Sequence, residues 1–533
     1  MIQRLVWLLV VGGAFVGCAR STRVETGTRD QVLHIGNGAE PEDLDPNTYK
    51  AEVEFTIDTA LFEGLVEIAN DGKTILPGVA ERWEVSADGL VYTFHLRPNA
   101  QWSDGSALTA DDFLYSFRRV FTPTLACENA VYGFAISGAR DFAAGKTSSP
   151  DSIGVKAIDP HTFEIRVDHP TPYLLYVLGG APFDPVPRAV VERFGGGTHL
   201  GTAWTRPGNL VSNGPFMLAS WHPNQDLVAV RNPHYWDDGR VRLREIHFYP
   251  IDDADVEERA FRAGQLHVTY SLPLSKIAAY RQRADPQLHV TPQLYTDYVI
   301  FNTRKPPFDD VRIRRAFSLV VDRDRLVPLI LSESATPAHS LTRPGTDDYL
   351  PPSLIDCDPA QGRRLLAEAG YPGGAGFPAI DYKVASPRNR KLAEALQQTW
   401  QQELGVRVTI APEEQKTMFN DASTGNFQLV GMGFFYAINA PETMLMVPLS
   451  DSLDNYTGWK EPAYDAAFRR ASYAGTAAER RAGLDAMEHI LNVEVPFAPL
   501  FFIDQPTLVS AQVKGWRDNA LGIIDWRELS LAP

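Results

Sequence analysis

The sequence predicts an α/β protein made of more than one body. Three observations carry this. Runs of alternating apolar residues are repeatedly followed by runs with helical spacing. Helix starts and stops are marked by Asp, Thr, Pro and Gly at the positions where caps and breakers act. The 533 residues also exceed what a single core ordinarily serves. The clearest unit runs from Val299 to Arg325. Tyr298, Ile300 and Asn302 alternate with Val299 and Phe301 as a mostly buried strand, which Pro306 and Pro307 stop. Asp309 or Asp310 caps the helix that follows, with Val311, Ile313, Ala316, Phe317 and Val320 on its core face. Arg312, Arg314 and Arg315 are then expected to face solvent. Lys305 stands at the end of the strand, where stiff backbone can hold a charge toward a ligand or leave it as a solvated turn residue.

From the N-terminus, Arg4 and the apolar run Leu5 to Val16 form a targeting segment, too short to span a bilayer. It ends in Phe15-Val16-Gly17-Cys18, which resembles a bacterial lipobox with Cys18 as the lipidated residue, although Phe15 stands where leucine is usual. Ordinary signal cleavage nearby is the alternative. Residues 19–31 are expected to be a tether. Val32 to Gly36 is the first strand, and the apolar residues from Glu54 to Val66 recur at helical spacing. Trp83 and Val85 pair across the Asp88-Gly89 turn with a return strand, Val91 to Leu96. Asp104-Gly105 makes a second turn. Thr109, with Asp111 and Asp112 in the first turn, starts a helix with Phe113, Leu114, Phe117 and Val120 inward. Further on, Gly264 stops a helix, Leu266 to Tyr270 alternates as a strand, and Asp358-Pro359 opens a helix that Gly370 ends. Arg388 to Leu404 is a long helix and Val406 to Ile410 the strand after it.

Composition excludes several functions. A net charge of −16 without a long basic run argues against nucleic acid, whose phosphates need concentrated positive charge. After the leader only Cys127 and Cys357 remain; an oxidising compartment allows them to pair, and two free thiols fit equally. No Cys or His spacing of the zinc type occurs, so no metal is expected. Gly145-Lys146-Thr147 imitates the end of a phosphate-binding loop, but Arg140 stands where its glycine is needed. Gly195 to Gly197 reads as a flexible surface connection. No nucleophile motif or zinc-protease motif is present, and acid pairs such as Asp111-Asp112 and Asp252-Asp253 fall at helix starts, where capping accounts for them. An enzyme is not expected, and no cofactor is implied.

Several long motifs then occur in one order. They include GVAERWEVSADGLVYTFHLRPNAQWSDGSALTADDFLYSFRRV from Gly78 to Val120 and KPPFDDVRIRRAF from Lys305 to Phe317. LDP at Leu44, LFEGL at Leu61, VSNGPFML at Val211, RNPHYW at Arg231, FRAGQLHVTYS at Phe261 and LLAEAGYP at Leu365 join them. Together they resemble the oligopeptide- and dipeptide-binding family of extracytoplasmic solute-binding proteins of ABC importers. The resemblance implies a two-lobed periplasmic-binding-protein clamshell (type II) with an additional inserted domain. Lobe I would take residues 32–60, 188–294 and 505–533, the inserted domain 61–187, and lobe II 295–504, with crossings near Leu294 and Gln505. It also implies a monomeric periplasmic receptor that binds a peptide or peptide-like solute and meets inner-membrane permease subunits, touching the membrane only through a lipid anchor at Cys18. A non-peptide solute, such as an oligosaccharide or metal chelate, and a sensing or chaperone-like role are the alternatives.

The resemblance places the site. GMGFFYAINAP, Gly431 to Pro441, matches the family segment that lies along a bound peptide, making Gly433, Phe434, Phe435, Tyr436 and Ala437 candidates. The same aromatic residues read alone are a core strand. Lys305 matches a family lysine that reaches a ligand carboxylate, with Asn302 just before it. Lys50 falls where some members carry an acid. Ala437 stands where peptide binders carry the aspartate that pairs with the ligand's α-ammonium, and Gly431 replaces an arginine. A buried ammonium without a partner is costly. Either another acid, Glu442 or Asp297, takes the role, or the ligand is anionic or N-blocked.

Overall fold

The computed structural model describes residues 21–385, 387–436 and 438–533. The leader with Cys18, and also Ala437, lie outside them.

The first body is built on a four-stranded sheet. Val32–Gly36 pairs parallel with Glu245–Tyr249, which continues antiparallel through Asp226–Arg231 to Phe216–His222. Helix Glu52–Leu61 ends before Val66, which opens a short strand, so the apolar run read as one helix is divided between two elements. The stretch expected to be a tether is largely folded. Arg23–Asp30 is a helix capped by Thr22, whose hydroxyl accepts from Glu25 N–H at 3.1 Å. Its inner side meets two histidines. His34 N–H donates to His267 Nδ1 at 3.0 Å, which leaves His267 Nε2 to donate to Thr28 Oγ1 at 3.3 Å. Burial holds His34 down to about 3 and His267 to about 4, so both rings stay neutral and this pattern persists. A short helix of polar composition is held here by tertiary partners that local composition does not reveal.

The inserted body carries an antiparallel sheet, Ala80–Val85, Val91–Leu96, Thr162–Arg166 and Val155–Asp159. The Asp88-Gly89 turn joins its first two strands, with Gly89 at φ +71°. Helix Ala110–Val120 covers it, burying Phe113 and Phe117 against Phe163. A fully buried phenylalanine contributes about 2 kcal/mol, so this aromatic cluster is the centre of the body. Arg119 on the outer side of that helix is buried. It donates to Asp45 Oδ1 at 2.9 Å, to Asn47 Oδ1 at 2.8 Å and to Gly196 O at 2.9 Å. That guanidinium staples the inserted body to the first one. It also makes Gly196 a buried acceptor rather than part of a flexible surface connection.

The largest body holds a six-stranded sheet in the order Ala335–Pro337, Phe497–Leu508, Leu288–Phe301, Leu429–Phe435, Ile380–Val384, Val408–Pro412. One face packs on helices Val311–Leu319 and Pro387–Leu404, where Trp400 Nε1 donates to Phe317 O at 2.9 Å. The other packs on Pro462–Ser472 and Ala477–Glu494. Asp310 caps the first of these helices through Arg312 N–H at 2.8 Å. Arg314, expected in solvent, is buried and donates to the carbonyls of Phe308 at 2.8 Å and Glu494 at 2.6 Å. Leu266 to Tyr270 forms no strand: Val268 alone bridges Ile35 and Val509. Thr269 N–H still donates to Leu508 O at 3.0 Å; Glu257 then takes the N–H groups of Tyr270 at 2.7 Å and Ser271 at 3.0 Å, which ends the pairing.

The two long strands of this sheet, Leu288–Phe301 and Phe497–Leu508, run antiparallel from the first body into the third. Their ladder breaks between Pro292 and Thr296. Pro292 has no N–H to give. Arg343 clasps both strands at the break, donating to Ile503 O at 2.7 Å, Gln293 O at 3.2 Å and Asp504 Oδ1 at 2.5 Å.

Candidate functional site

Next to that break all three bodies border one cavity of about 490 Å³. This lies within the ordinary range for small-ligand sites. The N-terminal end of helix Glu52–Leu61 brings Lys50, Glu52 and Phe55 to it. The inserted body contributes Asn129, Tyr132, Gly179 and Gly180. The long strand supplies Gln293 and Leu294, the neighbouring strand end supplies Phe435 and Tyr436, and Ala520, Leu521 and Ile523 complete the wall. The walls are held from behind. Asn129 Nδ2 donates to Tyr49 O at 2.7 Å, and Cys127 Sγ donates to Asn47 O at 2.8 Å. Cys127 and Cys357 are both free thiols. Burial pushes Tyr132 up to about 12, so its phenol keeps its proton and remains a donor at neutral pH.

The candidates divide into two groups. Phe435 is 54% exposed, and its ring meets that of Tyr295 at 4.5 Å, tilted by 58°. Phe434 is half-buried against the core beneath. Tyr436 is buried; its backbone N–H donates to Leu294 O at 2.8 Å and its hydroxyl accepts from Arg343 N–H at 3.1 Å. A Cβ at Gly433 would stand 1.9 Å from Tyr295 Oη, so only glycine admits that ring. Lys50 borders the cavity, with Nζ 3.8 Å from Glu42 Oε2.

Asn302 and Lys305 belong elsewhere. The strand leads away from the cavity, and from Leu294 to Asn302 it covers roughly 27 Å of extended chain. Asn302 is buried, its amide donating to the carbonyls of Phe427 at 2.9 Å and Gly425 at 3.1 Å while its oxygen accepts from Arg304 N–H at 3.2 Å. Lys305 Nζ donates to Gly425 O at 2.6 Å. Both side chains fasten a turn and neither lines the cavity. The acids named as substitutes are also engaged. Glu442 takes both arms of Arg480 at 2.6 and 2.7 Å, and Asp297 accepts from Tyr295 OH at 2.9 Å. Sequence reasoning missed Glu52, Tyr132 and Tyr270, which arrive from remote segments with no shared period. The nearest signal was the polar stretch between the LDP and LFEGL motifs.

The inserted and third bodies are shut against each other beside the cavity. Ile438 and Ala440 are buried in the inserted body's own core. Asn439 Nδ2 donates to Gly72 O at 2.8 Å while its oxygen accepts from Asp347 N–H at 2.8 Å, and Lys73 pairs with Asp348.

Two lobes joined by paired strands, a third domain on one of them, and a cavity where all three meet define a solute-binding protein. The chain belongs to the bacterial extracellular solute-binding proteins, family 5, which it matches over residues 74–455. It is 34% identical to the periplasmic oligopeptide-binding protein OppA of Salmonella typhimurium, over 91% of this chain and 90% of that one. It is 31% identical to the probable deoxycholate-binding periplasmic protein YgiS of Escherichia coli, over 96% of each. Among solved structures, Haemophilus influenzae OppA in complex with RPPGFSPFR superposes with a TM-score of 0.80 at 30% identity, covering 95% of this chain and 99% of that one. The mixed α/β fold is thus that of the three-domain periplasmic binding proteins, and the chain is the solute-binding component of an ABC importer, not an enzyme.

Proposed function

We propose that this protein binds an oligopeptide or peptide-like solute in the cavity, closes its lobes over it about the two long strands, and delivers it to inner-membrane permease subunits. The observation that carries this reading is an open strand edge. Leu429–Phe435 pairs with Tyr295 to Phe301 along one side for its whole length, but on its other side the ladder to Ile380–Val384 stops at Gly431. Beyond it, among the described residues, no strand occupies the edge of Gly433, Phe434 and Phe435, and this end of the strand reaches the cavity. A peptide added there would bond backbone to backbone, which gives affinity without regard to side chains. Micromolar binding requires about 8 kcal/mol, within reach of a few such bonds plus burial against Phe435. Lys50 borders the same cavity. The relatives named for oligopeptides support the reading. Native mass spectrometry of the protein purified without refolding tests it: co-purified peptides are expected, and a sterol-like or sugar solute would overturn it.

That second outcome has its own support in the apolar and aromatic share of the wall and in the likeness to a protein named for deoxycholate. Tethering through a lipid on Cys18 completes the proposal. Membrane association that survives Cys18→Ala would remove it.

A further inference from the structure

We infer that Glu52 is the group that receives a cation from the bound solute, so that the solute carries a protonated amine. The inference rests on the peptide reading above and specifies it. Among the described residues that line the cavity, only Lys50 and Glu52 are charged. Lys50 leans toward Glu42, while its backbone N–H donates to Glu54 Oε2 at 2.8 Å. Glu52 has a different environment. It is the first residue of a ten-residue helix, where the backbone dipoles favour a negative charge. Its carboxylate accepts one hydrogen bond, from Tyr270 OH at 3.1 Å. That phenol is fixed, because Tyr270 N–H is held by Glu257 at 2.7 Å and its ring lies where a Cβ on Gly38 would come within 2.5 Å.

Three other acids near the site are already engaged. Arg480 holds Glu442, Tyr295 bonds Asp297, and Glu54 accepts from the N–H groups of Glu42 and Lys50. Glu52 therefore keeps acceptor capacity facing the cavity, aimed by a fixed phenol. Glu52 is exposed to the cavity, and an ammonium that reaches it supplies three donors and a charge-assisted bond. The same geometry replaces the expectation of an anionic or N-blocked ligand: Lys305, one of its supports, is bound to Gly425 away from the cavity.

The ammonium can be the α-amine of a peptide or the side-chain amine of a basic residue. Calorimetry separates these with trialanine, N-acetyl-trialanine and N-acetyl-Ala-Lys-Ala, on wild type and on Glu52→Gln. The variant keeps the shape and the acceptor for Tyr270, and its melting temperature serves as a folding control. Trialanine is expected to bind wild type at least tenfold tighter than its acetylated form, and the variant to lose that preference. If the lysyl peptide alone depends on Glu52, the inference stands with a side-chain amine as the cation. Equal binding of all three peptides to wild type, or a preference for an amine that persists in Glu52→Gln, would overturn the inference and leave the peptide reading intact. Binding of none of the three to wild type would remove both.

Discussion

The two ends of the strand Leu288–Phe301 are built from similar residues and behave differently. At the far end, Asn302, Arg304 and Lys305 spend their polar atoms on the carbonyls of Gly425, Phe427 and Tyr456 and on one another. At the cavity end, Tyr295 and Asp297 bond each other, the neighbouring strand has an open edge, and Phe435 stands out from the wall. The far end's polar side chains are bonded within the protein, while the near end lies beside an unpaired backbone edge. A polar side chain whose bonds are all taken by its own protein holds structure in place. One with bonds to spare has something to offer a ligand.

The largest expected effect breaks the far end. Asn302→Ala strips partners from two buried carbonyls and from Arg304, and should cost about 3 kcal/mol in denaturant unfolding. Ligand affinity of the folded fraction should stay within twofold. A loss of affinity with stability intact would reverse the assignment of the two ends. Next in size, Phe435→Ala should weaken the co-purified solute about tenfold, or about 1.4 kcal/mol. Because its ring is half in solvent already, the melting temperature should barely move. An unchanged dissociation constant would take that ring out of the site. The smallest effect is Lys305→Ala, which removes one part-buried bond to a carbonyl and should cost about 1 kcal/mol with no change in binding. Any tenfold drop in affinity there would return Lys305 to the ligand.

Much of the architecture was legible beforehand. The Asp310 cap, the Asp88-Gly89 turn and the strand Val32–Gly36 are local events, set by backbone preferences within a few residues. The misreadings share another cause. The helix Arg23–Asp30 has a tether's composition, and partners from remote segments, His34 and His267 against Gly27 and Thr28, give it a face to bury. Arg314 looks like its neighbours Arg312 and Arg315 until the carbonyls at Glu494 and Val495 arrive beneath it. Val268 alternates like a strand residue, but Glu257 intercepts the donors of Tyr270 and Ser271 just beyond it.

The sequence by itself determined which elements form, through periodicity, caps and breakers, and its long motifs determined the family. The tertiary structure alone decided which polar atoms were left over. That choice separates Glu52 and Phe435 from Asn302 and Lys305, and no local pattern encodes it. A side chain's remaining valence depends on what distant segments bring within 3 Å, and only the folded chain sets those distances.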